Sequence, residues 1–218
     1  MSTRTRSGLL LPLAAVVGLV AVFGVDPLVD VVDDVLGSVT GHETVVIGTG
    51  DATAMVVSDV APDLESCTVT QIIDTKRCGG LKILVIDAAK MPYIARNIQL
   101  AWGDRRGYLL HRAAPENRRA NYQASCGPRS GFVVRYPGTG SCDEFEFAST
   151  AEGGAGARTE EVPVREQNCQ GATIKNAYYT TPGIAIGEEF LVVITNPVSI
   201  AIGPFAGSDT AKERGCGL

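Results

Sequence analysis

The residues able to do chemistry fall into two blocks of opposite charge. Between Ser141 and Glu166 seven carboxylates face only Arg158 and Arg165, a net of −5, whereas between Lys90 and Tyr136 nine basic residues face Asp104 and Glu116, a net of +7. A carboxylate can take a proton from water or hold a hard cation, and a guanidinium can neutralise a phosphate. Side by side, such blocks suit a phosphate-holding surface next to a metal or acid/base site. Two ordinary solvated faces would give the same charge map. Asp143 and Glu144 lead the acidic block, just after Gly140-Ser141-Cys142. Taken alone, they read as a turn with an N-capping acid. Asn168 alone reads as a helix-start residue, His111 as a surface member of the basic block, and Gly153, Gly154 and Gly156 as a hairpin loop.

The elements that must position these residues are legible in outline. Thr44 to Ile47 and Ala54 to Val57 read as short strands, and Leu81 to Ile86 as a buried strand bounded by Gly79-Gly80 and Asp87. Met91-Pro92 opens a helix in which Ile94, Ile98, Ala101 and Trp102 recur at helical spacing until Gly103. A second helix is expected over Pro115 to Ala124, a short strand or extended approach over Phe132 to Tyr136, and a turn at Pro137 to Gly140. Phe145 to Ala148 is expected to be extended, Glu160 to Val164 a strand, Glu166 to Tyr179 a helix, and Phe190 to Thr195 a final buried strand. The order strand, loop, strand, helix across Ser141 to Tyr179 is where the chemistry should sit.

Length and composition set the frame. With 218 residues, 45% hydrophobic and 20% charged, the chain suits one soluble domain plus some extra chain and excludes a fibrous array or a disordered polymer. Arg4 and Arg6 precede an uncharged run of eighteen residues, Gly8 to Val25, which ends at Asp26. A basic start followed by such a run is an export signal, read as cleaved in preference to an uncleaved anchor. Either form puts the remainder outside the cytoplasm, so the chain is expected to be secreted, or held at the membrane through residues 8–25. There Cys67, Cys78, Cys126, Cys142, Cys169 and Cys216 read as disulfide partners. Six cysteines allow 15 pairings. Cys67 with Cys78 would close a local loop, and Cys126 with Cys142 would tie the basic block to the acidic one. Without any C-x-x-C pair, and with His42 and His111 as the sole histidines, a structural zinc site is not expected.

The run Cys142-Asp143-Glu144-Phe145-Glu146-Phe147-Ala148-Ser149-Thr150, followed by Ala151-Glu152-Gly153-Gly154, resembles the signature of the NucA/NucB family of secreted deoxyribonucleases. Met91-Pro92 with Ile94 to Ile98, Asn117-Arg118-Arg119, Asn168-Cys169-Gln170-Gly171 and Gly187 to Phe190 resemble further family motifs, over roughly residues 81–196. One departure is Glu146, where the family pattern has proline. The resemblance implies a ββα-metal (His-Me finger) nuclease in which an aspartate replaces the usual histidine base. On it Asp143, with Glu144 beside it, is the catalytic candidate. Asn168 is the first choice for a metal ligand and Asn176 the second, holding Mg2+ or Mn2+ through hard oxygen donors.

The expected fold is therefore α+β: a small mixed domain with a ββα-metal finger core, a short antiparallel sheet, flanking helices and disulfides. Residues 1–25 form the signal, 26–80 an N-terminal extension with short strands, 81–196 the nuclease domain and 197–218 a tail. The expected activity is metal-dependent, sequence-nonspecific hydrolysis of DNA, with Arg105, Arg106, Arg112, Arg118 and Arg119 against the phosphates. The alternative is a catalytically weak surface protein acting as a DNA-binding, inhibitor-like or toxin-like module. A proteinaceous nuclease inhibitor is a further candidate partner, and no nucleotide cofactor is expected.

Overall fold

The computed structural model describes residues 41–216, apart from Asp51, Thr181 and Pro182. The expected export signal, residues 1–25, and residues 26–40 of the expected extension lie outside the described residues. Among the latter, no helix is long and apolar enough to cross a membrane.

The main sheet is assembled from both ends of the described chain. Strands β1 (Thr44–Thr49), β2 (Ala52–Val57), β3 (Arg77–Cys78), β4 (Leu81–Asp87), β5 (Leu109–His111) and β8 (Glu189–Thr195) form it, in the order β1-β2-β8-β4-β3 with β5 also against β8. β4 and β8 are parallel in the register Leu84↔Val192. Their centres are the apolar runs ILVI (residues 83–86) and FLVVI (residues 190–194) because both of their faces are covered. Ile83, Val85, Leu191 and Val193 pack with Ala54, Val56, Leu64 and Ile72 on one side. Leu84, Ile86, Phe190 and Val192 pack with Ile94, Ile98, Trp102 and Phe145 on the other. Residues 44–80, expected to be an extension, supply three strands of this sheet. β1 and β3 pair with the strands next to them in sequence, whereas β2 gave no hint of its partner β8, more than a hundred residues away.

Among the described residues four α-helices complete the α+β fold: α1 (Val69–Thr75), α2 (Pro92–Gly103), α3 (Asn117–Ser125) and α4 (Val164–Tyr179). Helix α1 was not expected, although Thr68 and Gln71 form the reciprocal capping box that marks a helix start. α2 begins on Pro92, whose missing N–H costs nothing in a first turn. Its next two backbone N–H groups, those of Tyr93 and Ile94, are taken by the Glu166 carboxylate from α4 at 3.0 and 3.1 Å. That one side chain therefore ties the start of α2 to α4.

A separate hairpin carries the acidic block. β6 (Gly140–Phe145) and β7 (Arg158–Pro163) are antiparallel, and α4 follows β7 without a connecting residue, giving the β-β-α order. Of the two forms expected for Phe132 to Tyr136, a short strand or an extended approach, the strand is absent. The N–H groups of Arg135 and Tyr136 go to the buried Glu161 carboxylate at 3.0 and 2.8 Å, where a strand would need backbone acceptors. All six cysteines are bridged, as Cys67–Cys78, Cys126–Cys142 and Cys169–Cys216. The last bridge fastens the C-terminal tail to α4, and Arg165 adds an ion pair to Asp209.

Candidate active site

Asp143 lies in the middle of β6 and is fully buried. Its two carboxylate oxygens accept amide N–H groups from two different helices: Asn97 Nδ2 of α2 at 2.9 Å and Gln170 Nε2 of α4 at 2.8 Å. Burial pushes the carboxyl up to about 7, against the pull of these two donors, which favour the ionised form; the Glu160 charge adds to the upward push. Glu160 stands directly across the hairpin in the pair Asp143↔Glu160, where side chains share one face. It is ion-paired to Arg96, the neighbour of Asn97 on α2.

Around this carboxylate several oxygens lack partners. Asn97 Oδ1, Glu160 Oε2 and Gln167 Oε1 are buried without a hydrogen bond, and Gln167 is joined to Gln170 through Nε2 at 3.5 Å. Buried acceptors are normally satisfied, so unpaired ones beside a buried acid need a reason. Amide and carboxylate oxygens are the donor set of a hard divalent cation. The residues present thus fit a Mg2+-class metal.

The site differs from the sequence expectation in four respects. Asn168 is exposed on α4 and does not meet Asp143. Cys169 must point inward to reach its disulfide, and Glu166 and Gln170, one turn and one residue away, share that buried face, whereas Asn168 is rotated off it. Asn176 is also exposed and accepts a hydrogen bond from Thr180 at the far end of the helix. Arg112 is buried, donating to the carbonyls of Tyr178 and Ile184 at 3.1 and 2.5 Å with its guanidinium over the rings of Tyr178 and Tyr179. It has no face to offer a phosphate. Glu144 follows Asp143 on the strand and so points to its other face; burial and the Asp143 charge push it up to about 8. Its Oε2 lies 3.1 Å from Cys126 Sγ. The trio Cys126, Cys142 and Glu144 has metal-site dimensions, but both sulfurs are spent in a disulfide, so it offers no thiolate.

Arg118 and Arg119 are exposed on α3, Arg105 is exposed after α2, and Arg106 is half-buried. His111 Nδ1 contacts Glu152 at 2.8 Å and its Nε2 faces Glu189 at 3.6 Å. Glu146, standing in place of the expected proline, is buried and accepts the Gly107 N–H at 2.9 Å, so its charge is directed to the β5 approach. The residues sequence reasoning missed are Asn97, Gln170, Glu160 and Gln167. Asn97 carried one signal, a polar residue on the apolar stripe Ile94, Ile98, Ala101.

Residues 103–193 match the family model described as Deoxyribonuclease NucA/NucB. Over that stretch the chain is similar to the NucA/NucB deoxyribonucleases. No curated protein matches the chain. The NucA/NucB match takes in β5, α3, the β6–β7 hairpin, α4 and most of β8, and so includes Asp143, Glu160, Gln167 and Gln170. Arg96 and Asn97 precede it. The match supports a deoxyribonuclease, and DNA is the substrate that the family description implies. The three disulfides accord with an oxidising, extracellular environment.

Proposed function

We propose that the NucA/NucB domain is an exported, divalent-metal-dependent, sequence-nonspecific DNA endonuclease with Asp143 as general base. The observation that carries this reading is the buried Asp143 carboxylate, gripped by Asn97 and Gln170 and flanked by Asn97 and Glu160, each with an unpaired acceptor oxygen. A base works best when its pKa lies near the working pH, and burial lifts Asp143 to about 7, where an exposed aspartate would be a far weaker base. Asn97 and Gln170 fix the orientation of the carboxylate, and each oxygen keeps a lone pair for the proton of the attacking water. Glu160, Asn97 and Gln167 are the residues that would hold the metal. When bound, a divalent cation supplies charge stabilisation at the scissile phosphate and helps the leaving oxygen. Arg96 holds Glu160 in place through its ion pair. The exposure of Arg118 and Arg119 on α3 supports their use against backbone phosphates, a contact that reads no sequence.

Nicking of supercoiled plasmid by the exported protein tests this. Cleavage should require Mg2+ or Mn2+ and stop with EDTA, and Asp143→Asn should lose at least about 10²-fold in rate with DNA affinity kept. Cleavage unaffected by EDTA would remove the metal. Intact plasmid with every divalent cation tried would leave a DNA-binding module in place of an enzyme.

A further inference from the structure

We propose that Tyr122 is a stacking platform for an unpaired base of the bound DNA, which makes single-stranded DNA the preferred form of the substrate. This rests on the endonuclease reading above and adds the substrate form and the residue that selects it.

Single exposed apolar residues are ordinary on a protein surface. Tyr122 differs in its neighbours and in its lack of partners. It is 43% exposed on α3, one turn beyond both Arg118 and Arg119, so the ring and the two guanidinium groups share one helix face. One turn further on that row is Cys126, whose N–H closes the helix on the Tyr122 carbonyl at 2.8 Å. Cys126 is bridged to Cys142, the residue before Asp143. The Arg118 charge is also close enough to Glu144 to favour its ionised form. The row Arg118, Tyr122, Cys126 therefore runs from cations to the face of β6 that carries Cys142 and Glu144, the candidate base lying on the other face of the same strand. The opposite face of α3 is fixed by Asn121, which donates to the carbonyls of Ala148 and Thr150 at 3.1 and 3.0 Å.

Other exposed tyrosines are already occupied. Tyr136 stands edge-on to Phe205, and Tyr179 lies beneath the Arg112 guanidinium. Tyr122 has no ring, cation or hydroxyl partner among the described residues. An aromatic face between arginines is how proteins hold single strands without reading sequence: cations track the backbone while bases stack, and a base paired within a duplex offers no free face. Arg118 and Arg119 alone would favour both forms of DNA.

The test uses the exported protein and two oligonucleotides of one sequence, single-stranded and duplex, with Tyr122→Ala and Tyr122→Phe. Tyr122→Ala should lose about 5- to 150-fold in kcat/KM on the single strand and under ~3-fold on the duplex, while Tyr122→Phe, which keeps the ring, stays within about 2-fold on both. Equal losses on both forms, or no loss, would overturn the proposal. Thermal midpoints matching wild type confirm that Tyr122→Ala is folded. A second readout does not need cleavage: a single-stranded oligonucleotide carrying 2-aminopurine, mixed with protein in EDTA, should be quenched by wild type and Tyr122→Phe but not by Tyr122→Ala. If wild type cuts neither DNA, the endonuclease reading falls, and the quench still decides Tyr122. Equal quenching by Tyr122→Ala would overturn it.

Discussion

Replacing Gln170 by leucine tests the grip on Asp143 directly. The leucine keeps the volume of the side chain but removes the amide that donates to Asp143 Oδ1 at 2.8 Å. A hydrogen bond to a charged group is worth about 1.5–3 kcal/mol, and 1.36 kcal/mol corresponds to one pKa unit, so the carboxyl should rise by about 1–2 units. The sign follows from the donor: it favours the ionised form, and its loss favours the protonated one. Starting from about 7, the acid limb of the rate profile should move toward about 8–9. A general base acts through its deprotonated fraction, so at pH 7 the variant should be about 5- to 50-fold slower than wild type and recover as the pH rises. The assay is kcat/KM on a fluorescence-quenched DNA substrate at saturating Mg2+, measured from about pH 5.5 to 9.5 to bracket both limbs. An acid limb that stays where wild type has it, or a loss of the same size at every pH, would refute the assignment of Asp143 as a base tuned by Gln170.

Arg112→Ala should act on stability and not on DNA. It leaves the buried carbonyls of Tyr178 and Ile184 without their donor, at about 1–3 kcal/mol each, so thermal melting should fall by roughly 5–20 °C. A changed salt dependence of DNA binding with an unchanged melting point would restore Arg112 to the phosphate surface. Arg118→Ala with Arg119→Ala should instead leave melting nearly unchanged and flatten the plot of log affinity against log salt by about 0.9 for each phosphate that is no longer neutralised. A weakening confined to one DNA sequence would count against recognition of the backbone.

Much of the scaffold was legible because it rests on local patterns. The both-faces-buried strands β4 and β8, the 3.6-residue stripe of α2 and the helix after Pro163 all follow from spacing within one element. The Cys142 to Thr150 run was legible for the same reason, since its residues are contiguous. The partners of Asp143 were not. Asn97 comes from 46 positions upstream and Gln170 from 27 downstream, and neither carries a local mark of its long-range partner. Asn168 and Gln170 are two residues apart in sequence but on different sides of α4, and the rotation that decides between them is set by what the helix buries.

The sequence by itself determined most of the element types, the basic and acidic blocks and the cysteine set, and only a family resemblance pointed to Asp143 as the acid to watch. The tertiary structure decided which cysteines pair, that residues 44–80 belong in the main sheet, that Arg112 is an internal brace, and which amides hold the carboxylate. The physical reason is range. Propensity and periodicity act within a few residues along the chain, whereas the burial that lifts Asp143 and the hydrogen bonds that aim it exist only once α2, α4 and the β6–β7 hairpin have docked.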